Sequence, residues 1–354
     1  MILLDVLVAG LLLLFFAYFH HVLPALKMQA AATKDPVSPP KHILVSTEVA
    51  SDTTEPETEE TPETAVPKAQ ESSLEEPEEA SSEEGVIVDN RTEWQKKFEE
   101  HFSDEIVMTE NSYKSPNVSV ELETIQVDNG NGQITYHVAD IYVGSPENFT
   151  TYTANDRLLY FDTQDPMEMH EASNAILSMT GDFLTYQQSG FLIRNGEIYS
   201  DQHAYCDICI MYPDGSIETY LKGTYDKEAI MARDPVQVWN FGPMLLDENG
   251  KALETFNSST TVMYPNPRSA LGYYEPGHYC FVVVDGRQYG YSVGMVLDEL
   301  AAVFEELGCK AAYNLDGGGS ALMMFGDSRY SQMSNGGDRD LGDILVIRET
   351  EVAE

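Results

Sequence analysis

The chain has 354 residues, and 59 acidic against 20 basic side chains give it a formal net charge of −39 at pH 7. That excess of acid argues against nucleic acid as a partner, and four cysteines are too few for a disulfide framework. Length alone would allow two domains of ~150 residues, but composition shifts along the chain and leaves one.

The first segment, residues 1–26, reads as a membrane anchor. Residues 2–23 form an apolar run in which Asp5 is the only charge, close to the ~20 residues that a spanning helix needs. A cleaved signal peptide competes with this reading, but it expects a basic leader, and no basic residue precedes the run. Lys27, Lys34 and Lys41 follow it, which by the positive-inside rule would place the C-terminal part inside. The stretch that follows points the other way, so the expectation is a single-pass cell-membrane protein with its C-terminal domain extracytoplasmic. A true start further upstream, carrying a basic leader, would remove the conflict. Residues 27–90 are dominated by Pro, Glu, Ser, Thr and Ala, without the apolar periodicity that could offset the cost of ordering. This linker is expected to be disordered and extended by self-repulsion, a tether rather than a domain.

Residues 91–104 read as a short amphipathic helix, with Trp94 and Phe98 four apart on one face. From there to 354 the pattern is strand-rich. Val118 to Leu122 and Ile134 to Val138 alternate on either side of Asp128-Asn-Gly-Asn-Gly132, a strong hairpin signal. Ala175 to Met179 reads as a buried strand ending in Thr180-Gly-Asp182, and Gly190 to Gly196 as a strand into a turn. Ile208 to Tyr212 and Ile217 to Tyr220 flank Pro213-Asp-Gly215, a second hairpin. The segment Asn266 to Gly272 precedes a strand at Tyr279 to Val284. Met295 to Leu307 is the clearest helix, with Val296, Leu300, Val303, Phe304 and Leu307 on one stripe and Gly308 closing it. It feeds a short strand, Ala311 to Leu315, and a last strand covers Ile344 to Ile347. The fold class is therefore α+β, a strand-rich mixed-sheet domain over 105–354 with few helices.

The chemistry gathers at strand ends beside glycine. Asp316 ends a strand and is followed by Gly317, Gly318, Gly319 and Ser320. Three glycines in a row cost backbone entropy and suit a place where the chain turns through positive φ or comes close to another group. A carboxylate, bare amides and a hydroxyl in succession suit an anionic or polyhydroxyl ligand. Asp182 and Asp285 occupy similar positions, as do Arg268, Arg287 and Arg339. Any single Asp-Gly is more often a turn than a site; the set would gather carboxylates and guanidinium forks on one rim, a setting for a sugar phosphate. There is no phosphate-loop lysine, no G-x-S-x-G elbow and no H-E-x-x-H, and His170, His203 and His278 are scattered. Neither a cofactor nor a metal is expected.

The succession N-P-R-S-A-L-G, V-V-D-G-R, S-V-G-M-V-L-D-E-L-A and A-Y-N-L-D-G-G-G-S-A resembles the phosphodiester glycosidase family. G-D-F, R-N-G and F-G-P-M-L-L-D-E-N-G also fit, so the similarity runs from about Asp140 to Arg348. The resemblance implies a surface hydrolase of glycosyl phosphodiesters, of the branch associated with exopolysaccharide in bacteria. Its residues would be Asp316, Asp182 and Asp285 for catalysis, and Arg268, Arg339, Gly317, Gly318, Gly319, Ser320 and Asn335 for binding. The partner would be a glycan or sugar-phosphate substrate; oligomeric state stays open. The alternative is a non-catalytic domain that binds phosphorylated or anionic surface glycans, and Thr180, where Asn is usual, leaves room for it.

Overall fold

The computed structural model describes residues 89–157, 161–184, 190–334, 337 and 339–350. The apolar run at 2–23 and nearly all of the linker lie outside the described residues; among those described, no helix is long and apolar enough to cross a membrane. The expected helix at 91–104 is shorter, α1 (Glu93–Lys97). Thr92 and Gln95 close its first turn reciprocally, Thr92 Oγ1 accepting from Gln95 N at 3.1 Å and Gln95 Oε1 from Thr92 N at 2.7 Å. The chain then turns so that Phe98 is buried and His101 stacks on Tyr142 at 3.6 Å between centroids.

Seventeen strands follow among the described residues. In chain order they are β1 (Val107–Met108), β2 (Ser112–Lys114), β3 (Val118–Asp128), β4 (Gln133–Val143), β5 (Phe149–Thr153), β6 (Leu177–Thr180), β7 (Phe191–Arg194), β8 (Glu197–Asp201) and β9 (Ile208–Met211). They continue with β10 (Ile217–Tyr220), β11 (Gln237–Trp239), β12 (Arg268–Glu275), β13 (His278–Val284), β14 (Ala311–Asn314), β15 (Met323–Phe325), β16 (Ser328–Arg329) and β17 (Asp343–Ile347). The helices after α1 are α2 (Pro166–Ala172), α3 (Lys227–Met231), α4 (Thr260–Met263) and α5 (Leu297–Glu306).

The strands form three sheets, ordered β1-β2-β3-β4-β13-β12-β14, β10-β9-β11-β7-β8 and β16-β15-β6-β17-β5. Neighbouring strands are antiparallel throughout. The predicted β3–β4 hairpin is present in full, from Val118↔Val143 to Asp128↔Gln133. Both faces of the large sheet are covered, and β13 shows how the two-residue period achieves it. Tyr279, Phe281 and Val283 enter the core shared with the two smaller sheets, whereas Cys280, Val282 and Val284 pack under α5. α3 covers the outer face of the second sheet through Ile230, and α2 covers the third through Met169.

The strand–helix–strand unit predicted before the glycine loop is β13–α5–β14, with β12 between its two strands. Val296 N donates to Glu299 Oε2 at 3.1 Å at the start of α5, and Gly308 takes φ +79° just past its end. Sequence reading placed Arg268 in a connection before a strand; instead it is the first residue of β12. Its segment Arg268 to Gly272 is small and apolar after the arginine, and pairs on both sides, with β13 and with β14.

Candidate active site

One strand from each sheet ends at the same place. β6 of the third sheet leads into Gly181 and Asp182, β7 of the second ends on Arg194, and β14 of the first leads through Leu315 to Asp316. A backbone hydrogen bond of 3.1 Å from Asp316 N to the Gly181 carbonyl ties two of these ends together. Beside them lies a cavity of about 410 Å³ lined by Thr163, Asp182, Phe183, Asp316, Ser320, Arg339, Asp340, Leu341 and Gly342. Phe183 meets Phe241 edge to face at 6.5 Å and gives the cavity an aromatic side.

Asp182 is 4% exposed. Its Oδ2 accepts from Arg194 Nη2 at 2.7 Å and from the Asn240 amide at 3.0 Å, while Oδ1 has no hydrogen-bond partner. Burial pushes its pKa up, against the pull of Arg194 and of the amides of Asn240 and Phe241. Arg194 also binds Asp343, which lies fully buried at the start of β17. Two carboxylates thus share one guanidinium. Burial and the neighbouring Asp182 push Asp343 up to about 7, with Arg194 opposing them.

Asp316 opens the glycine loop. Its Oδ1 accepts from Gly317 N at 2.8 Å, and the Ser320 hydroxyl also supports it. Burial raises its pKa to about 6; Ser320, Gly317 and Arg339 pull it down and Asp182 pushes it up. Sequence reading pictured an exposed rim carboxylate. It is 7% exposed, with only an edge on the cavity. The three glycines are closely surrounded, and at Gly317 and Gly318 a side chain has no room or no allowed backbone. A Cβ on Gly317 would come within 2.5 Å of the Pro267 carbonyl oxygen, one on Gly318 within 2.8 Å of Arg287 Nη2, and one on Gly319 within 3.0 Å of Arg339 Nε. Two guanidinium groups therefore press against the loop, and Gly318 takes φ +64° between them.

The sequence profile of the phosphodiester glycosidase family matches residues 173–348, which hold Asp182, Arg194, Asp316, Arg339 and Asp343 together. Those residues belong to the phosphodiester glycosidase family. The match is narrower than the span read from the sequence, starting after α2 and leaving β1–β5 outside, although β3 and β4 complete the large sheet of the glycosidase domain. The SPbeta prophage-derived uncharacterized protein YomE of Bacillus subtilis (strain 168) is 25% identical over 162 residues, 45% of this chain. The match spans about a quarter (25%) of the length of that curated relative. The catalytic domain of zebrafish N-acetylglucosamine-1-phosphodiester alpha-N-acetylglucosaminidase, auto-inhibited by its pro-peptide, superposes with a TM-score of 0.56 at 17% identity, covering 70% of this chain and 88% of that one. At that identity the likeness is one of fold. A hypothetical protein from Synechocystis gives 0.47 at 14% identity, over 66% and 62%.

The glycosidase domain does not bring all of the expected residues together. Asp182, Asp316, Ser320 and Arg339 share the cavity. Asp285 does not line it. Its Oδ2 is held by His137 Nε2 at 2.9 Å and Tyr291 OH at 2.8 Å, and its Oδ1 by Gln332 N at 2.9 Å, a saturated structural carboxylate. Arg268 lies behind the glycine loop, 3% exposed, and gives Nε to the Met295 carbonyl at 3.0 Å and Nη2 to those of Val262 and Tyr264 at 2.6 and 2.8 Å. Burial, and next Arg287, lowers its pKa to about 10. Asn335 lies outside the described residues. Thr180 does not line the cavity. Its hydroxyl donates to the Ser320 carbonyl at 2.5 Å and accepts from Leu322 N at 3.1 Å, which fastens β6 to the end of the glycine loop. Sequence reading missed Arg194 and Asp343. The available signal was a charged residue at one end of an apolar run, F-L-I-R and D-I-L-V-I, in strands that have no solvent-facing side.

Proposed function

We propose that the protein hydrolyses glycosyl phosphodiesters, with Asp182 and Asp316 as the acid–base pair. The observation that carries this reading is that two carboxyl groups, each nearly buried and each pushed toward neutral pH, open on one cavity with Arg339 beside them. Asp316 acts as the acid and hands its proton to the leaving phosphate oxygen as the anomeric C–O bond breaks. Asp182, its charge backed by Arg194 and the Asn240 amide, acts as base or nucleophile through Oδ1. Arg339 from the cavity and Arg287 from across the glycine loop hold the phosphate. An anionic phosphate in a cavity that already contains Asp316 and Asp340 raises the proton affinity of Asp316 further, which suits a donor.

The non-catalytic alternative drew on Thr180; that its hydroxyl ties β6 to the glycine loop, outside the cavity lining, favours the hydrolase reading. The substrate class is a sugar-1-phosphodiester of surface or exopolysaccharide material, by analogy with the N-acetylglucosamine phosphodiester named for the zebrafish enzyme. The apolar run at 2–23 and the acidic linker support a membrane-tethered domain that faces outward. Incubation with N-acetylglucosamine-1-phosphodiesters of simple alcohols in ¹⁸O water is expected to release free sugar carrying the label, and Asp182→Asn and Asp316→Asn should abolish it. No release from several such sugars, with calorimetry showing that they bind, would replace this reading with the binding domain.

A further inference from the structure

Arg194 ends a strand that is buried on both faces, and its side chain is 1% exposed. A guanidinium in that position is strongly unfavourable unless it is paired and hydrogen-bonded. Nη1 donates to the Val238 and Ile193 carbonyls at 2.5 and 2.9 Å, which fixes the plane of the group. Nη2 and Nε then reach Asp182 Oδ2 at 2.7 Å and Asp343 Oδ2 at 2.9 Å. With Oδ2 committed to protein, Oδ1 is the oxygen of Asp182 that is left without a hydrogen bond, itself buried at the cavity wall. Asp343 is held just as firmly. Ile344 pairs with Thr180, so Asp343 falls beside Gly181, whose amide donates to its carbonyl at 3.2 Å. A Cβ on Gly181 would come within 2.5 Å of Asp343 Oδ1. The glycine before Asp182 is thus the space that the second carboxylate occupies.

We propose that Arg194 and Asp343 are positioning residues for Asp182. By holding Oδ2 the guanidinium fixes the plane of the Asp182 carboxylate and so the place of its unpaired Oδ1, and Asp343, a second carboxylate on the same cation, sets the charge against which Asp182 works. This inference rests on the reading of Asp182 as catalytic. The groups that face Asp182 are Arg194 from β7, Asp343 from β17 and Asp316 from the loop after β14, with the Cys209 thiol and the Tyr313 phenol behind. One guanidinium cannot neutralise two buried carboxylates, so the pair retains a proton toward neutral pH and titrates as a unit.

The test uses the full chain labelled with ¹³C at the aspartate carboxyls, the Asp182 signal being assigned by its loss in Asp182→Asn. Asp343→Asn leaves an oxygen for Arg194 Nε but removes one negative charge. Asp182 should then titrate about 1–3 pH units lower, and the acidic limb of the kcat profile should move down with it. Arg194→Lys keeps the charge but cannot span two carboxylates, and it should lower kcat at least ~10-fold with little change in KM. A folded Asp343→Asn variant whose Asp182 titration does not move overturns the inference. Full activity in Asp182→Asn would instead sink the reading of the site, and the titration would still decide whether the guanidinium couples the two carboxylates.

Discussion

Asp316 carries a conflict that stability measurements can read. Its folded pKa is raised to about 6 from an ordinary value of 3.8, chiefly by burial. A raised carboxylate contributes stability that is complete below the unfolded value and is lost as pH rises through the folded one. The domain should therefore lose stability between about pH 4 and pH 6, and Asp316→Asn should reduce that loss, leaving the part that Asp182 and Asp343 contribute. At pH 7 the Asn variant is expected to be more stable than wild type by on the order of 1–3 kcal/mol, while turnover falls at least ~10²-fold. Urea titrations at pH 4, 5, 6 and 7 check the first part. A variant equally sensitive to pH would show that another group carries the effect. The arginines separate in the same way. Arg268→Lys loses a fork that holds three backbone carbonyls, so it should destabilise the fold by about 1–3 kcal/mol and leave KM alone. Arg287→Lys removes a fork beside Gly318 and should raise KM with little loss of stability. A raised KM for Arg268→Lys alone would return the phosphate role to Arg268.

Among the elements, those set by local pattern were legible in the sequence. The β3–β4 hairpin follows from alternation around Asp128-Asn-Gly, and α5 from its apolar stripe and Gly308, because each is decided by neighbours in the chain. The Asp316 loop was legible as a site because three glycines have no cheaper explanation. What the sequence hid depends on contacts between sheets. Nothing near Arg268 reveals that β13 and β14 flank its strand and that the Val262, Tyr264 and Met295 carbonyls take its donors. Asp285 has the same strand-end, Asp-Gly signature as Asp316, yet a histidine 148 positions away consumes it. Arg194 and Asp343 look like a turn residue and a strand start, and only the junction of three sheets makes them one unit. α1 was overextended because Phe98, the second of the amphipathic pair with Trp94, stays buried after the helix has stopped at Lys97.

At the scale of the whole molecule, that pair decides where the folded part begins. Gly215 and Gly277 have no side chain where the Trp94 ring lies; a Cβ on Gly277 would come within 3.1 Å of Trp94 Cδ2 and 3.0 Å of Phe98 Cε2. Thr92 Oγ1 donates to the Gly144 carbonyl at 2.5 Å, Gln95 Nε2 to Asn117 Oδ1 at 2.8 Å, and Lys97 pairs with Glu275 at 2.7 Å. Residues 92–98 are therefore a clasp across β3, β4, β12 and β13, and the boundary read from the sequence at 105 would cut it away. Residues 27–88 lack the apolar periodicity from which such a clasp is made. A chain starting at 89 should match the full chain in melting temperature and in solution turnover, whereas one starting at 105 should lose at least about 3 kcal/mol, the usual cost of emptying an aromatic site. Trp94→Ala in the full chain should account for much of that difference. If removal of 27–88 alone lowers stability by more than about 1 kcal/mol, the acidic segment packs on the domain and is no simple tether.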